Sequence, residues 1–94
     1  MIKISNLTSS RGNKVANQFR IIDSDNDCEY FQSYDSIIAM KMHNSNGEAI
    51  LLDETYWNYS RTTSKYRSMF LGESTKETEA KIKSGEYKLT NLNA

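Results

Sequence analysis

Residues 37–52 read IIAMKMHNSNGEAILL: the most apolar run of the chain, a polar turn, and a second apolar run. Asn46–Gly47 is a dipeptide that favours the tight turn of a β-hairpin, because both residue types tolerate positive φ. We therefore predict a hairpin with strands over 37–42 and 48–52. His43 lies at its turn end, where we expect a solvated side chain and not a catalytic base.

Three further strands are predicted before this hairpin. Ile2 and Ile4 alternate with polar residues, which is typical of a half-buried edge strand, and residues 15–22 and 29–34 are the next two strand-like runs. Between the latter, Asp23–Asp27 carries carboxylates at alternate positions, as a calcium loop does at its start. The glycine and the closing glutamate of such a loop are missing. We predict a hairpin turn there and no metal site.

Residues 53–86 are predicted to be mainly helical. Asp53 is a suitable N-cap for a short helix over 54–60. A second helix is expected to end at Gly72, and its start could be capped by Ser60, Thr62 or Thr63. On that helix, the i, i+3, i+4 spacing predicts one apolar face made of Tyr66, Met69 and Phe70.

A further helix is predicted over 75–84. Ser74 and Glu77 have the spacing of a capping box, and Gly85 supplies the C-terminal stop. Tyr87 and Leu89 then alternate with a lysine, which predicts a last short strand or an extended tail over 87–94.

The length of 94 residues corresponds to one domain, which we expect to span 1–94. The predicted fold class is α+β: an antiparallel β-sheet of four or five strands over 1–52, followed by two or three short helices. A chain this short leaves much of its surface exposed, so a homo-oligomer would stabilise it.

Charge and cysteine content narrow the class of protein. The formal net charge is zero, which gives no global electrostatic case for nucleic-acid binding. Residues 1–54 nevertheless carry five basic and eight acidic side chains, and residues 55–94 carry seven and four, so the C-terminal part could present a basic face. One cysteine and one histidine do not make a zinc site. Neither a signal peptide nor a membrane span is visible, so we expect a cytoplasmic protein with no cofactor and no membrane contact.

Catalytic residue combinations are not recognisable in the sequence. A hydrolase or transferase needs a nucleophile with a base, a paired acid and base, or a metal cage. Cys28 has no histidine partner near it in sequence, and Asp53 and Glu54 are explained by helix capping. We therefore expect that the protein is not an enzyme.

Residues 56–70 combine half of the aromatic side chains with three basic ones. In one interpretation, exposed aromatics stack on a base while the basic groups neutralise phosphate. In the other, which we favour for Trp57, the aromatics form the core and the basic stems lie over it. The candidate binding residues are Tyr59, Arg61, Lys65 and Arg67, with Arg11 and Lys14 from the polar loop over 8–14.

Several stretches resemble a family of short bacteriophage-encoded proteins of unknown function. They are NLTSSRGNK at 6–14, FQSYDSIIA at 31–39, Leu52–Asp53 and WNYSRTTSKYR at 57–67. The family has no assigned activity, and the resemblance implies a phage setting in the host cytoplasm. Because small phage proteins commonly act by binding, it implies a non-catalytic binder that inhibits a host or anti-phage defence protein. Two alternatives stay open: a nucleic-acid or nucleotide binder, and a small structural or virion-associated protein.

Overall fold

The computed structural model describes residues 1–93 and contains a sheet and two helices. The elements in chain order are β1 (Ile2–Thr8), β2 (Lys14–Asp23), β3 (Cys28–Ser33), β4 (Ser36–Asn44), β5 (Gly47–Asp53), α1 (Arg61–Leu71), α2 (Thr75–Ser84) and β6 (Lys88–Thr90). The α+β fold class is thereby confirmed.

The six strands lie side by side in chain order. Strands β1 to β5 are antiparallel and joined by short turns, which confirms the hairpins predicted around 23–27 and over 37–52. Strand β6 pairs parallel to β5, because the chain crosses over through both helices before it returns to the sheet. The sheet is therefore mixed and six-stranded, whereas four or five antiparallel strands were predicted.

Both helices begin and end at the predicted capping residues. The Ser60 side chain accepts a backbone N–H of the first turn of α1, and Gly72 ends this helix with a left-handed φ of 73°. Ser74 and Glu77 form the reciprocal capping box of α2, which ends at Gly85. These ends are set locally, because each needs only a short polar side chain or a glycine at the right position.

The prediction of a short helix over 54–60 is wrong, because this segment consists of turns and irregular backbone. Asp53 does cap it: its Oδ2 accepts the N–H groups of Thr55 and Tyr56 at 3.0 and 2.8 Å. A helix does not continue because the aromatic and asparagine residues that follow have low helix propensity. Ser60 then adopts an extended φ of −151° to begin α1.

The core lies between α1 and the sheet face that α1 covers. Its buried apolar members are Phe31, Ile38, Ala39, Ile50, Leu52, Tyr66, Phe70 and Tyr87, and the Phe31 and Phe70 rings lie 5.9 Å apart. Trp57 and Ile82 pack against this cluster while remaining half-buried. The predicted burial of Tyr66 and Phe70 is confirmed. Met69 was predicted on the same face but is 46 % exposed, because the buried stripe of α1 passes instead through Thr63 and Arg67.

Candidate functional site

The sheet has one covered face and one open face. Residues paired across neighbouring strands point to the same side of a sheet, so Phe31, Ala39 and Leu52 share one face. Helix α1 contacts this face through the Phe31–Phe70 ring contact and through a 3.0 Å hydrogen bond between the Ser33 and Thr63 hydroxyls. The side chains at the alternate positions therefore point away from α1.

The open face carries a continuous apolar row. Ile4, Ile21, Tyr30, Met40 and Leu51 are successive cross-strand partners on β1 to β5. None of them belongs to the core cluster or packs against it. We define the open face by this row and by three larger apolar residues of the neighbouring rows, which are Ile2, Phe19 and Met42.

Several side chains of the open face are exposed to an unusual degree. Ile2 and Ile4 are 62 % and 64 % exposed, and Met42 is 40 % exposed. The prediction that Ile2 and Ile4 are half-buried is therefore wrong. The apolar alternation in β1 is real, but both helices pack at the core on the other side, and β1 has a strand neighbour on one side alone.

The basic residues chosen from sequence lie in two different places. Arg61 and Lys65 lie on the exposed side of α1 and line an open groove of about 510 Å³, together with hydroxyl groups such as those of Ser64 and Ser68. Arg11 lies in the turn between β1 and β2 and Lys14 opens β2; neither lines this groove. Tyr59 is 70 % exposed and lines a separate cavity.

Arg67 is fully buried, which removes it from the candidate binding surface. Its Nη1 donates to the Trp57 carbonyl at 2.5 Å and to Asn58 Oδ1 at 3.3 Å, and its Nη2 donates to Thr75 Oγ1 at 2.7 Å. The guanidinium also lies 5.2 Å from the Trp57 ring centre. Arg67 therefore ties the turn before α1 and the start of α2 to α1.

His43 lies at the turn end of the hairpin, as predicted, but it is the next-to-last residue of β4 and not part of a loop. Its Nε2 is 3.3 Å from Glu29 Oε2, and its Nδ1 is 3.5 Å from Glu48 Oε2. Glu29 also accepts from the Arg20 guanidinium. Burial raises the pKa of Glu29, but hydrogen bonds from Arg20 and His43 outweigh burial and hold this pKa below its ordinary value. The group therefore connects β2, β3, β4 and β5 through polar side-chain contacts.

Sequence reasoning missed a second polar cluster around Glu73, whose side chain is only 5 % exposed. Its carboxylate accepts the Tyr87 and Thr78 hydroxyls, each at 2.6 Å, and the Lys81 ammonium at 2.9 Å. Burial raises the pKa of Glu73, but these three hydrogen bonds more than offset burial, so its pKa is lowered. Burial and the bond to Glu73 raise the pKa of Tyr87 to about 12. The cluster joins α2 to the segment leading into β6, and no local sequence signal marks it.

The described part of the chain shows neither a cluster of metal-ligating side chains nor a helix that could span a membrane. Within residues 1–93, no group of three or more His, Cys, Asp or Glu side chains is placed to hold a metal ion. Cys28 is a buried free thiol. The helices of the same range are too short and too polar to cross a membrane.

Together these features define a small α+β protein whose mixed sheet is covered by α1 on one face and carries an apolar row on the other. The chain belongs to the family described as Family of unknown function (DUF8033), whose model matches residues 2–86. No curated protein and no solved structure gives a significant match. Membership of a family of unknown function is thus confirmed, and the phage setting stays a prediction.

Proposed function

We propose that this chain is a non-catalytic binding protein that contacts another protein through the open face. The observation that carries this proposal is the row of five apolar side chains across β1 to β5, outside the core cluster, of which Ile4 is exposed and the other four are half-buried. Contiguous exposed apolar surface is costly in water and marks interaction sites in folded proteins. Aromatic and methionine side chains, which the open face also contains, are enriched at protein interfaces.

The partner surface is expected to be apolar at its centre. No residue of the five-membered row carries a charge, while Asp23 in the neighbouring row and Lys88, paired with Leu51, lie at its margins. The other face of the sheet is already covered by α1, and helices on both faces of a sheet make a stable three-layer arrangement. An amphipathic helix of the partner, laid across the open face, would supply the missing layer.

Within this proposal, the partner is a host protein or a component of an anti-phage defence system in the host cytoplasm. This part rests on the resemblance of residues 6–14, 31–39 and 57–67 to short phage proteins. Binding would inhibit the partner by occupying its apolar surface, which requires no catalytic group on this chain.

Capture from nuclease-treated host lysate tests the proposal with a matched pair of variants. The double variant Ile4→Glu with Met42→Glu places two charges on the open face, and Met69→Glu places one on an equally exposed methionine of α1. We expect wild type and Met69→Glu to retain the same host protein. The double variant should retain at least about tenfold less of it, since a desolvated charge costs more than about 1.4 kcal/mol. Equal retention by all three proteins would contradict the proposal.

A second candidate function, nucleic-acid or nucleotide binding, is favoured by the groove on α1. Arg61 and Lys65 lie there beside several hydroxyl groups, a combination that suits a phosphate. Phosphate-led binding should weaken steeply between low and moderate salt and should be lost in Arg61→Ala with Lys65→Ala. Binding through the open face should change little with salt, and it should survive nuclease treatment.

A further inference from the structure

A cavity of about 400 Å³ lies between the β3–β4 turn and the turn segment over 54–60. Tyr34 and Asp35 line it from the first turn, and Tyr56 and Tyr59 line it from the second. We call these four residues the tyrosine pocket. None of them belongs to the open face or lines the groove of Arg61 and Lys65.

The tyrosine rings are available to a ligand. Tyr34 and Tyr59 are 55 % and 70 % exposed, although burial of their rings in the small core would have stabilised the fold. The Tyr56 and Tyr59 rings meet edge to face, with centres 5.5 Å apart. One ring of this pair therefore fixes the orientation of the other.

Tyr34 is held in an unfavourable backbone conformation. Its φ is 55°, a left-handed value that is rare for a bulky residue. Its N–H donates to the Asn17 carbonyl at 2.7 Å, and Asn17 itself has a φ of 64°. A residue inside β2 and the residue that follows β3 thus both adopt strained backbone conformations where the Tyr34 ring lines the cavity.

The charge of the pocket is negative. Asp35 is the one acidic side chain among the lining residues that the structure describes, and no lysine or arginine lines the cavity. Helix α1 contributes Thr63 alone to the lining. The Thr63 N–H is bonded to the Ser60 hydroxyl and its own hydroxyl to Ser33, so this residue leaves no donor for an anion.

We propose that the tyrosine pocket binds an organic cation, namely an alkylammonium or guanidinium group. The faces of aromatic rings attract such cations through their quadrupole, and the Asp35 carboxylate supplies a charge-assisted hydrogen bond. The volume falls within the range of about 300–1,000 Å³ that small-ligand sites occupy. The group is carried by a lysine or arginine side chain of a polypeptide or by a free amine. This site is independent of the open face.

Nuclear magnetic resonance of the full chain with ¹³C-labelled tyrosine rings tests this inference. The probes are methylammonium, capped lysine, capped arginine and capped norleucine, which has the chain of lysine without its charge. We expect saturable shifts of the Tyr34 and Tyr59 ring signals with the cations and none with norleucine. Response to the capped amino acids alone would identify a polypeptide side chain as the ligand, and an equal response to methylammonium would extend it to free amines. Equal shifts with norleucine, or shifts with no probe, would overturn the inference.

Variants separate the aromatic contribution from the charge. Tyr59→Leu and Asp35→Asn should each weaken cation binding about fivefold, whereas Tyr59→Phe keeps the ring face and should stay within about twofold of wild type. Glu79→Gln removes an exposed charge on α2 and serves as the matched control. Unchanged ring signals elsewhere establish that each variant is folded. Wild-type affinity in Tyr59→Leu would overturn the assignment.

Discussion

Arg67 and Glu73 are two charged residues that the fold buries and uses as connectors. Arg67 donates to three acceptors in the turn before α1 and in α2, and Glu73 accepts from three donors in α2 and just before β6. Neither role could be predicted from sequence. Helical spacing does place Arg67 next to the stripe of Tyr66 and Phe70. It does not decide whether the Arg67 or the Met69 side chain is buried beside that stripe. The partners of Glu73 come from segments five to fourteen residues away.

Replacing Arg67 with lysine should destabilise the protein although the charge is kept. A lysine ammonium cannot reach acceptors on two sides as the planar guanidinium does, so we expect a loss of about 2 kcal/mol or more in the free energy of unfolding. Urea denaturation measures this loss. Arg61→Lys, at an exposed position of the same helix, is the control and should stay within about 0.5 kcal/mol of wild type. Equal stabilities of the two variants would contradict the connecting role of Arg67.

Glu73 should make the protein more stable at neutral than at acidic pH. Its pKa in the fold lies below the ordinary value of 4.5, so its contribution is present above that value and is lost as the pH falls through the lower folded-state pKa. Glu73→Gln should therefore lower the thermal midpoint at pH 7, by the equivalent of about 2 kcal/mol. The difference from wild type should shrink towards pH 3.

Thermal unfolding followed by circular dichroism at both pH values checks the Glu73 prediction. Other carboxylates with lowered pKa, such as Glu29 and Asp53, also weaken the wild type in acid, but they are common to both proteins and cancel in the difference. Glu79→Gln is the exposed control. A Glu73→Gln deficit that is as large at pH 3 as at pH 7 would show that the charge of Glu73 is not what stabilises the fold.

At the scale of elements, capping chemistry predicts the helices well and fails in one segment. The ends of α1 and α2 follow from Ser60, Gly72, Ser74 and Gly85, whose effects are local. Residues 54–60 have a good cap in Asp53 but form turns, because a short run of residues with low helix propensity cannot offset the cost of helix nucleation. The pairing of β6 parallel to β5 depends on the crossover through both helices, which no local pattern reveals.

Removing the N-cap of α2 should weaken the fold by a predictable amount. The Ser74 hydroxyl accepts the Glu77 N–H at 3.1 Å, so Ser74→Ala leaves this donor without its partner, and we expect a loss of about 1 kcal/mol. Ser45→Ala, in the exposed turn between β4 and β5, is the control and should be nearly neutral. Urea denaturation compares the two. A loss below about 0.3 kcal/mol for Ser74→Ala would mean that tertiary contacts alone hold α2.

At the scale of the whole molecule, the sheet carries apolar residues on both faces, and α1 covers one of them. The strands β1, β4 and β5 could be predicted from their apolar residues and from the hairpin turn. In the folded sheet, β2 to β5 carry apolar residues on both faces. Which face the helices cover is decided by long-range packing, such as that of Phe70 on Phe31, and is not visible in the sequence. The basic and aromatic composition therefore predicted a binding surface on α1, whereas the binding surface that we propose is the open face.

The oligomeric state distinguishes the open-face proposal from a structural role for the chain. If the open face serves a different protein, light scattering should show a monomer at low concentration. A stable homo-oligomer that becomes monomeric in Ile4→Glu with Met42→Glu would mean instead that the open face joins copies of this chain. That result would favour the small structural or virion-associated alternative.

The methionine methyl groups report most directly on the open face. Met40 and Met42 lie on it, whereas Met69 lies on α1 with similar exposure to Met42. Methyl resonance spectra of ¹³C-methionine-labelled chain are recorded before and after addition of the purified captured partner. We expect the Met40 and Met42 signals to shift or broaden and the Met69 signal to stay unchanged. A change at Met69 with Met40 and Met42 unaffected would place the contact on α1 and contradict the proposed binding surface.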